Sequence, residues 1–404
     1  MGCEANYRQP STRLRALERT VSQQLRILFI ADDIYPGFGG QARASEGHIA
    51  ALQRRGHELR VIGGNEPQPS EPPPGVVVER LPAWRLGTAQ TRFAHPLFSR
   101  IAPHVSWADV IHANTPTAAN AAATLLAKRQ GVPVVMGVHT QLETSTLQAP
   151  LIGPPLAWLL ATWYRILFSG ADLLTAPTRF AAELARQFYT GRIEVVSNGL
   201  DLKRGLTVER REASDGSRLL TYVGRLSPEK RPLDLLDLLK ELPDEVRLAI
   251  AGGGPLDREL RDGIERLGLV ERVDLLGYVS EEQKRELLAG TDLFVMPSPA
   301  ELQSIATLEA MAAGTAVAAV GYDSSAVPQL VSEARGGIVL PPRDPVAQAR
   351  AVMALLDDDA ALRLAKANAA AYAAGHDVAS SAEILERLYL ELLAPKREAT
   401  ARHA

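Results

Sequence analysis

Short apolar runs rich in β-branched residues alternate with longer helical segments along this chain, and the series occurs twice. Strands that are apolar on both sides belong to parallel sheets covered by helices on both faces, so the repetition predicts two doubly wound α/β domains. The first series reads LRILFIA from Leu25, LRVIG from Leu59, DVIHA from Asp109, VPVVMGV from Val132, DLLTAP from Asp172 and IEVVS from Ile193. Between these strands, helices are predicted from about Gln41 to Arg55, stopped by Gly56, and from Thr117 to Arg129, stopped by Gly131. After Asn198 the pattern lapses into a polar, charged stretch up to Ser217, the expected interdomain linker. It restarts with RLLTYVG from Arg218, RLAIAG from Arg247, RVDLLG from Arg272, DLFVMP from Asp292 and TAVAAVG from Thr315. In such folds the ligand lies in a cleft at the carboxyl ends of the strands.

Size and charge agree with this division. A chain of 404 residues is too long for one ordinary core, and 46% hydrophobic with 23% charged residues is a globular composition. A net charge of -3 excludes a general polyanion binder, so no nucleic-acid partner is expected. Residues 1 to 202 hold 19 Lys and Arg against 15 Asp and Glu, which leaves 25 against 32 beyond. The front half, at +4, can lean on an anionic surface, although such an excess is more often a solvated face. Cys3, the single cysteine, excludes an internal disulfide and gives no support to export. The first 24 residues are read as an extension: Arg8, Arg13, Arg15 and Arg19 mix with Glu4 and Glu18 and surround no apolar centre, unlike a secretory signal. The most apolar stretch, from Leu147 to Gly170, is broken by Pro150, Pro154, Pro155 and Arg165, so a spanning helix is not expected. A cytoplasmic protein is the expectation, with peripheral contact at the inner face of the membrane as a further one.

The run PSPAELQSIATLEAMAAG carries the clearest chemical signal. Its Leu, Glu, Ala and Met content from Thr307 and its stop at Gly314 put Glu309 on a helix, with Glu301 in the preceding loop. Eight positions on an unbroken helix span roughly 12 Å at about 1.5 Å per residue. Paired carboxylates of glycosidases stand roughly 5 to 9.5 Å apart, so hydrolysis through this pair is disfavoured. Two carboxylates accepting bonds from hydroxyls on different rings fit better, against the plain alternative of a solvated acidic helix face.

Glu301, Glu309, Ala310, Met311, Ala312 and Gly314 in that order resemble the motif of the retaining family 4 glycosyltransferases, also called group 1. The resemblance extends from Leu25 to about Leu393 and implies the GT-B fold: two facing Rossmann-like domains with an interdomain cleft. It implies an acceptor-side domain over 25–202, a nucleotide-sugar-binding domain over 203–376, and a last helix over 377–393 that crosses back onto the first domain. It also implies roles. Arg225 and Lys230, in VGRLSPEK after the first strand of the second domain, would bind the donor diphosphate; an Arg fork and a mobile Lys charge both suit phosphate oxygens. Gly40, with Gly39 before it, would lie by that diphosphate and the acceptor, where missing side chains let backbone approach an anion. His139, at the tip of the VPVVMGV strand, would orient the donor sugar and stabilise charge, whereas His112 is read as mainly structural. Glu301 would hold sugar hydroxyls and Glu309 the ribose; Leu302, Gln303, Ser304 and Ile305 would offer backbone amides, and Val279 would line the base. Gly252, Gly253 and Gly254 are read as a turn. The chain departs from the family pattern at Ser304, where Gly is common, and at Ala316 and Gln329, where Pro and Glu are common.

The resemblance implies a metal-independent, retaining hexosyl transfer with same-face attack and no cofactor beyond the nucleotide-sugar substrate. No His or Cys cluster at metal spacing stands in the sequence. A UDP-sugar is preferred over a GDP-sugar on family frequency alone. The acceptor is a lipid, of diacylglycerol, phosphatidylinositol or glycolipid type, or a saccharide. The segment after His139 carries Trp158, Trp163, Tyr164 and Phe168; ordinary packing is its first explanation, because Trp158, Arg165 and Ile166 do not sort onto one clean face. Contact with a lipid acceptor or membrane is the second. Two other functions remain: a nucleotide-sugar 2-epimerase-like isomerase, whose site run differs, and a nucleotide-sugar-binding protein without catalysis.

Overall fold

The computed structural model describes residues 23–35, 39–65, 70–85, 92–114, 116–141, 153–202 and 217–401. Cys3 and the rest of the N-terminal extension to residue 22, the linker over 203–216, the start of the Pro-rich turn at 67–69, and residues 142–152 of the apolar segment lie outside the described residues.

In the first half the strands are β1 (Arg26–Ile30), β2 (Glu58–Gly64), β3 (Val77–Leu81), a short antiparallel pair β4 (Ala83–Arg85) and β5 (Arg92–Ala94), then β6 (Val110–Ala113), β7 (Val134–Gly137), β8 (Leu173–Ala176) and β9 (Ile193–Val195). Seven of them form a parallel sheet in the order β3-β2-β1-β6-β7-β8-β9. The second half contributes β10 (Arg218–Val223), β11 (Val246–Ala251), β12 (Val273–Gly277), β13 (Leu293–Met296), β14 (Ala316–Val320) and β15 (Gly337–Leu340), a parallel sheet ordered β12-β11-β10-β13-β14-β15. The strands that the apolar runs did not announce, β3 and β15, are sheet edges, and β4 and β5 stand outside both large sheets. An edge strand has a less buried surface, so its sequence need not be apolar throughout; VVERL in β3 is half-buried over most of its length.

Helices cover both faces of each sheet. The first has α1 (Gly40–Arg54), α2 (Phe98–Trp107), α3 (Ala118–Gln130), α4 (Gly153–Phe168) and α5 (Arg179–Ala185); the second has α6 (Asp234–Lys240), α7 (Asp257–Arg266), α8 (Glu281–Ala289), α9 (Ile305–Ala312), α10 (Val327–Ala334), α11 (Pro345–Leu356) and α12 (Asp359–Ala374). The last helix, α13 (Val378–Ala401), follows the second domain but buries Ala382, Leu385, Leu388 and Tyr389 in the core of the first. Each of the larger side chains contributes roughly 1.5–3 kcal/mol on burial. Tyr389 also meets Nδ1 of His112 at 2.6 Å, and His112 stacks on Phe29 at 4.8 Å between centroids, so this histidine works inside the core.

The order of strands reverses beside β1 and β6 in the first sheet and beside β10 and β13 in the second. Loops at those carboxyl ends diverge and leave room for a ligand. Chain crossings hold the two bodies together: Leu200 bridges Asp377, its N–H donating to the His376 carbonyl at 2.8 Å while Val378 N–H donates to the Leu200 carbonyl at 2.9 Å. Gln303 of the second body bonds Ser197 and the Asn198 amide at 2.9 and 3.0 Å, and Thr178 donates to the Leu302 carbonyl at 2.7 Å.

Candidate active site

Both reversal points feed one cleft. From the second body, the loop after β10 brings Arg225 and Lys230. Tyr222 donates its hydroxyl to the Arg225 carbonyl at 3.0 Å, and Leu226 N–H donates to the Gly253 carbonyl at 3.1 Å. The glycines that follow β11 explain themselves here: a Cβ on Gly252 would stand 1.9 Å from the Gly224 carbonyl oxygen, and one on Gly254 would stand 2.3 Å from that of Leu226. They are a packing requirement that lets one loop brace the next.

Lys230 Nζ lies 2.6 Å from Oε1 of Glu301, and the two side chains are 25% and 12% exposed. Glu301 sits in a short parallel bridge with Ser325, just before α9. The cation that would meet a diphosphate is therefore held by the carboxylate that would meet sugar hydroxyls.

Glu309 lies within α9, as its helical sequence predicts, and takes a bond from Lys284 at 2.7 Å. Burial raises its carboxyl above the ordinary range, and Lys284 pulls in the opposite direction without cancelling the rise. Ser304 caps α9 with its hydroxyl, accepting from Thr307 N–H at 3.3 Å, while its φ is +66°. A left-handed backbone at this position is the reason glycine suits it; serine carries the strain and offsets part of it by capping. Gln303 is buried and turned to Ser197 and Asn198 of the first body, Leu302 packs beside that body's core, and Val279 is half-buried just before the Ser280 cap of α8.

From the first body, Gly39 and Gly40 open α1 after β1. A Cβ on Gly40 would stand 3.2 Å from Ile305, and one on Gly39 3.9 Å from Nη2 of Arg225, so the glycine pair faces the second body's site at close range. His139 follows β7 with its ring folded over Gly137, where any Cβ would stand 2.4 Å from Nε2. Burial, with His48 nearby, lowers its pKa to about 4. The neutral ring suits hydrogen bonding to a hydroxyl, and any charge stabilisation by it would be that of an N–H dipole. Two residues on, Gln141 donates to the Ser324 carbonyl at 3.0 Å, beside the Glu301–Ser325 bridge.

The cleft floor contains polar residues that no motif singled out. Asn114, after β6, is buried, bonds Ser45 through Nδ2, and has no partner on Oδ1; Gln41 donates to its carbonyl at 3.3 Å. Their only sequence signal is position at a strand's carboxyl end or in the first turns of α1. Among the described residues no group of three His, Cys, Asp or Glu is arranged to hold a metal ion.

The expectation of simple packing for the aromatic helix α4 needs correction. Tyr164 and Phe168 are buried and Trp163 donates to the Pro116 carbonyl at 2.6 Å, but Trp158, Leu159 and Ile166 are 68%, 57% and 60% exposed. Four- and seven-residue spacings put Trp158, Thr162 and Arg165 on one stripe with Ile166 beside it, so the helix splits into a packed face and a solvent face on which Trp158, Leu159 and Ile166 stand among polar residues. No helix among the described residues is long and apolar enough to cross a membrane.

Two Rossmann-like bodies facing each other across their strand ends are the GT-B architecture. The chain belongs to glycosyltransferase family 4: residues 38–204 match "Glycosyltransferase Family 4" and residues 207–374 match "Glycosyl transferases group 1". Similar proteins include a D-inositol 3-phosphate glycosyltransferase of Xylanimonas cellulosilytica, 29% identical over 82% of this chain and 87% of that one. An alpha-monoglucosyldiacylglycerol synthase of Streptococcus pneumoniae is 25% identical over 74% and 71% of the two chains, and a GDP-mannose-dependent alpha-mannosyltransferase of Mycobacterium tuberculosis is 27% identical over 78% and 84%. The fold is shared with sucrose-phosphate synthase from Thermosynechococcus elongatus (TM-score 0.72, 18% identity, 92% of this chain and 100% of that one). It is shared also with Anabaena HepE solved with UDP and glucose (TM-score 0.70, 21% identity, 91% and 100%).

Proposed function

We propose that this glycosyltransferase moves a hexose from a UDP- or GDP-linked sugar to an acceptor hydroxyl with retention of anomeric configuration and without a metal ion. The observation that carries the reading is the Lys230–Glu301 pair, 2.6 Å apart within the second body, with Arg225 facing Gly39 of the first. Arg225 and Lys230 supply positive charge where a leaving diphosphate gains negative charge, the condition for lowering the barrier electrostatically. Glu301 accepts sugar hydroxyls, Glu309 the ribose hydroxyls, and the neutral His139 orients the sugar. Gly40 leaves space for donor and acceptor to approach, while the loop from Leu302 to Ile305 and the backbone at Val279 line the sugar and base. The acceptor attacks from the face that the diphosphate leaves, and a departing phosphate oxygen takes its proton.

The similar proteins divide on the base: one relative is named GDP-mannose-dependent, while a fold neighbour was solved with UDP. We favour UDP. The acceptor reading is a lipid or glycolipid, supported by the exposed Trp158, Leu159 and Ile166 and by the diacylglycerol named for one relative. On this reading the protein works in the cytoplasm, docked at the inner face of the membrane through α4.

Calorimetric titration of UDP, GDP, ADP and their hexose conjugates tests the donor site: one nucleotide series should bind selectively, and absence of binding to all of them in folded protein overturns the reading. Proton NMR of the product anomer reads the stereochemistry. Flotation with neutral and anionic liposomes tests α4, where absence of binding to both removes the membrane role.

A further inference from the structure

Glu309 belongs to a chain of charges that reaches the other domain. Lys284 of α8 bonds Glu309 at 2.7 Å and Glu281 at 3.0 Å, and the second oxygen of Glu281 takes Arg43 of α1 at 2.8 Å. Lys284 is only 12% exposed, so it is committed to its two carboxylates. The Ser280 capping box fixes the first turn of α8, and spacing of three residues puts Glu281 and Lys284 on one side of it. Arg43 lies in the first turn of α1, beyond the glycine pair that faces Arg225 and Ile305.

A carboxylate accepts hydrogen bonds at both oxygens, whereas the protonated acid turns one of them into a donor. A vicinal diol on a ribose therefore needs the ionised form. Burial opposes ionisation at Glu309, and Lys284 is the cation that bonds it among the described residues. Other elements packed around α9 offer no substitute: β13 and β14 carry no charge, and Lys366 of α12 is turned to Asp292 and the Thr291 carbonyl. Glu281 opposes ionisation of Glu309 while Arg43 favours it, so the first body's arginine acts on the carboxylate from across the cleft.

We propose that Lys284 is a positioning residue for the donor: it keeps Glu309 as a carboxylate for the nucleotide's ribose, and Arg43, by sharing Glu281, strengthens that hold when the two domains are together. This rests on Glu309 being the ribose ligand, and the test separates the two claims. Calorimetry of UDP and GDP is run at pH 6.0, 7.0 and 8.5, each variant expressed as a ratio to wild type so that titration of the nucleotide cancels. Lys284→Met is expected to raise Kd at least tenfold at pH 6.0 and by less at pH 8.5, where a larger fraction of Glu309 is ionised. Lys284→Arg is expected to restore Kd to within about threefold at all three values. Arg43→Gln is expected to raise Kd two- to fivefold alone and to add nothing to Lys284→Met.

If Glu309→Gln binds as wild type does, the ribose reading fails. If Glu309→Gln weakens binding but Lys284→Met does not, or does so equally at every pH, the positioning role fails. An Arg43→Gln loss that adds in full to that of Lys284→Met overturns the interdomain coupling. Should Lys284→Met not fold, Lys284→Gln answers the same question, and its pH-independent binding would overturn the proposal as well.

Discussion

Removing the Lys230 charge while leaving its partner in place is the sharpest test of how the cleft is held without a donor. The Lys230–Glu301 contact is 2.6 Å long with side chains 25% and 12% exposed. Breaking a fully buried pair from one side costs about 3–5 kcal/mol because the survivor stays buried and unpaired. Exposed pairs are worth about 0–1 kcal/mol, so partial exposure here puts Lys230→Met near 2 kcal/mol. Glu301→Gln should cost about 1 kcal/mol, since the longer lysine stem can swing its ammonium to water. With both charges gone neither is stranded, and the double variant should lose about 1 kcal/mol, a coupling of about 2 kcal/mol. At roughly 2–4 °C per kcal/mol for a body of this size, Lys230→Met lowers Tm by about 4–8 °C and the double variant by about half of that. Scanning calorimetry at pH 7 in donor-free buffer measures all four corners. Additive single effects would refute the argument, because they would mean that the two charges do not depend on each other. Activity should follow a different rule: Lys230→Met loses about 100-fold or more in kcat, and Glu301→Gln does not return it.

Three other outcomes follow from the same geometry. His48 and His139 are held neutral by burial, with pKa values lowered to about 4, so the unfolded chain takes protons from about pH 6.5 downward that the folded chain refuses. Stability is therefore complete above pH 6.5 and falls by a few kcal/mol toward pH 4; chemical denaturation across that range should show the slope, and His48→Gln should flatten it. Ser304→Gly relieves a φ of +66° at about 1–2 kcal/mol and sacrifices a cap worth only a few tenths over glycine, so Tm should rise by about 2–4 °C with activity kept; a fall in Tm would contradict the strain. Gly252→Ala forces a Cβ to 1.9 Å from the Gly224 oxygen at φ +140° and should lower Tm by more than 6 °C, with nucleotide affinity falling because the Arg225 loop loses its brace; an unchanged Tm would refute the close approach.

The alternation of apolar strands and helices was sufficient for the α/β class, because a strand buried on both faces has no polar positions to spare. It was insufficient for β3 and β15, whose edge positions relax that demand. Among the candidate site residues, Lys230, Glu301 and Glu309 were singled out by chemistry and order of motifs. Asn114, Ser45 and Lys284 were not, since small polar residues and a helix lysine have the same signature on any solvated surface. The α4 aromatics misled in a different way: burial of Tyr164 and exposure of Trp158 differ by which side of one helix meets the sheet.

By itself the sequence determined two parallel-sheet bodies, the placement of charged residues at strand ends, and membership of one glycosyltransferase family, because each follows from local pattern or short-range spacing. Tertiary structure alone decided which charge answers which. Lys230 finds Glu301 over 71 residues, and Arg43 reaches Glu281 from another domain. Ion pairing depends on separation in space and on burial, and neither is written in the spacing of residues along a chain.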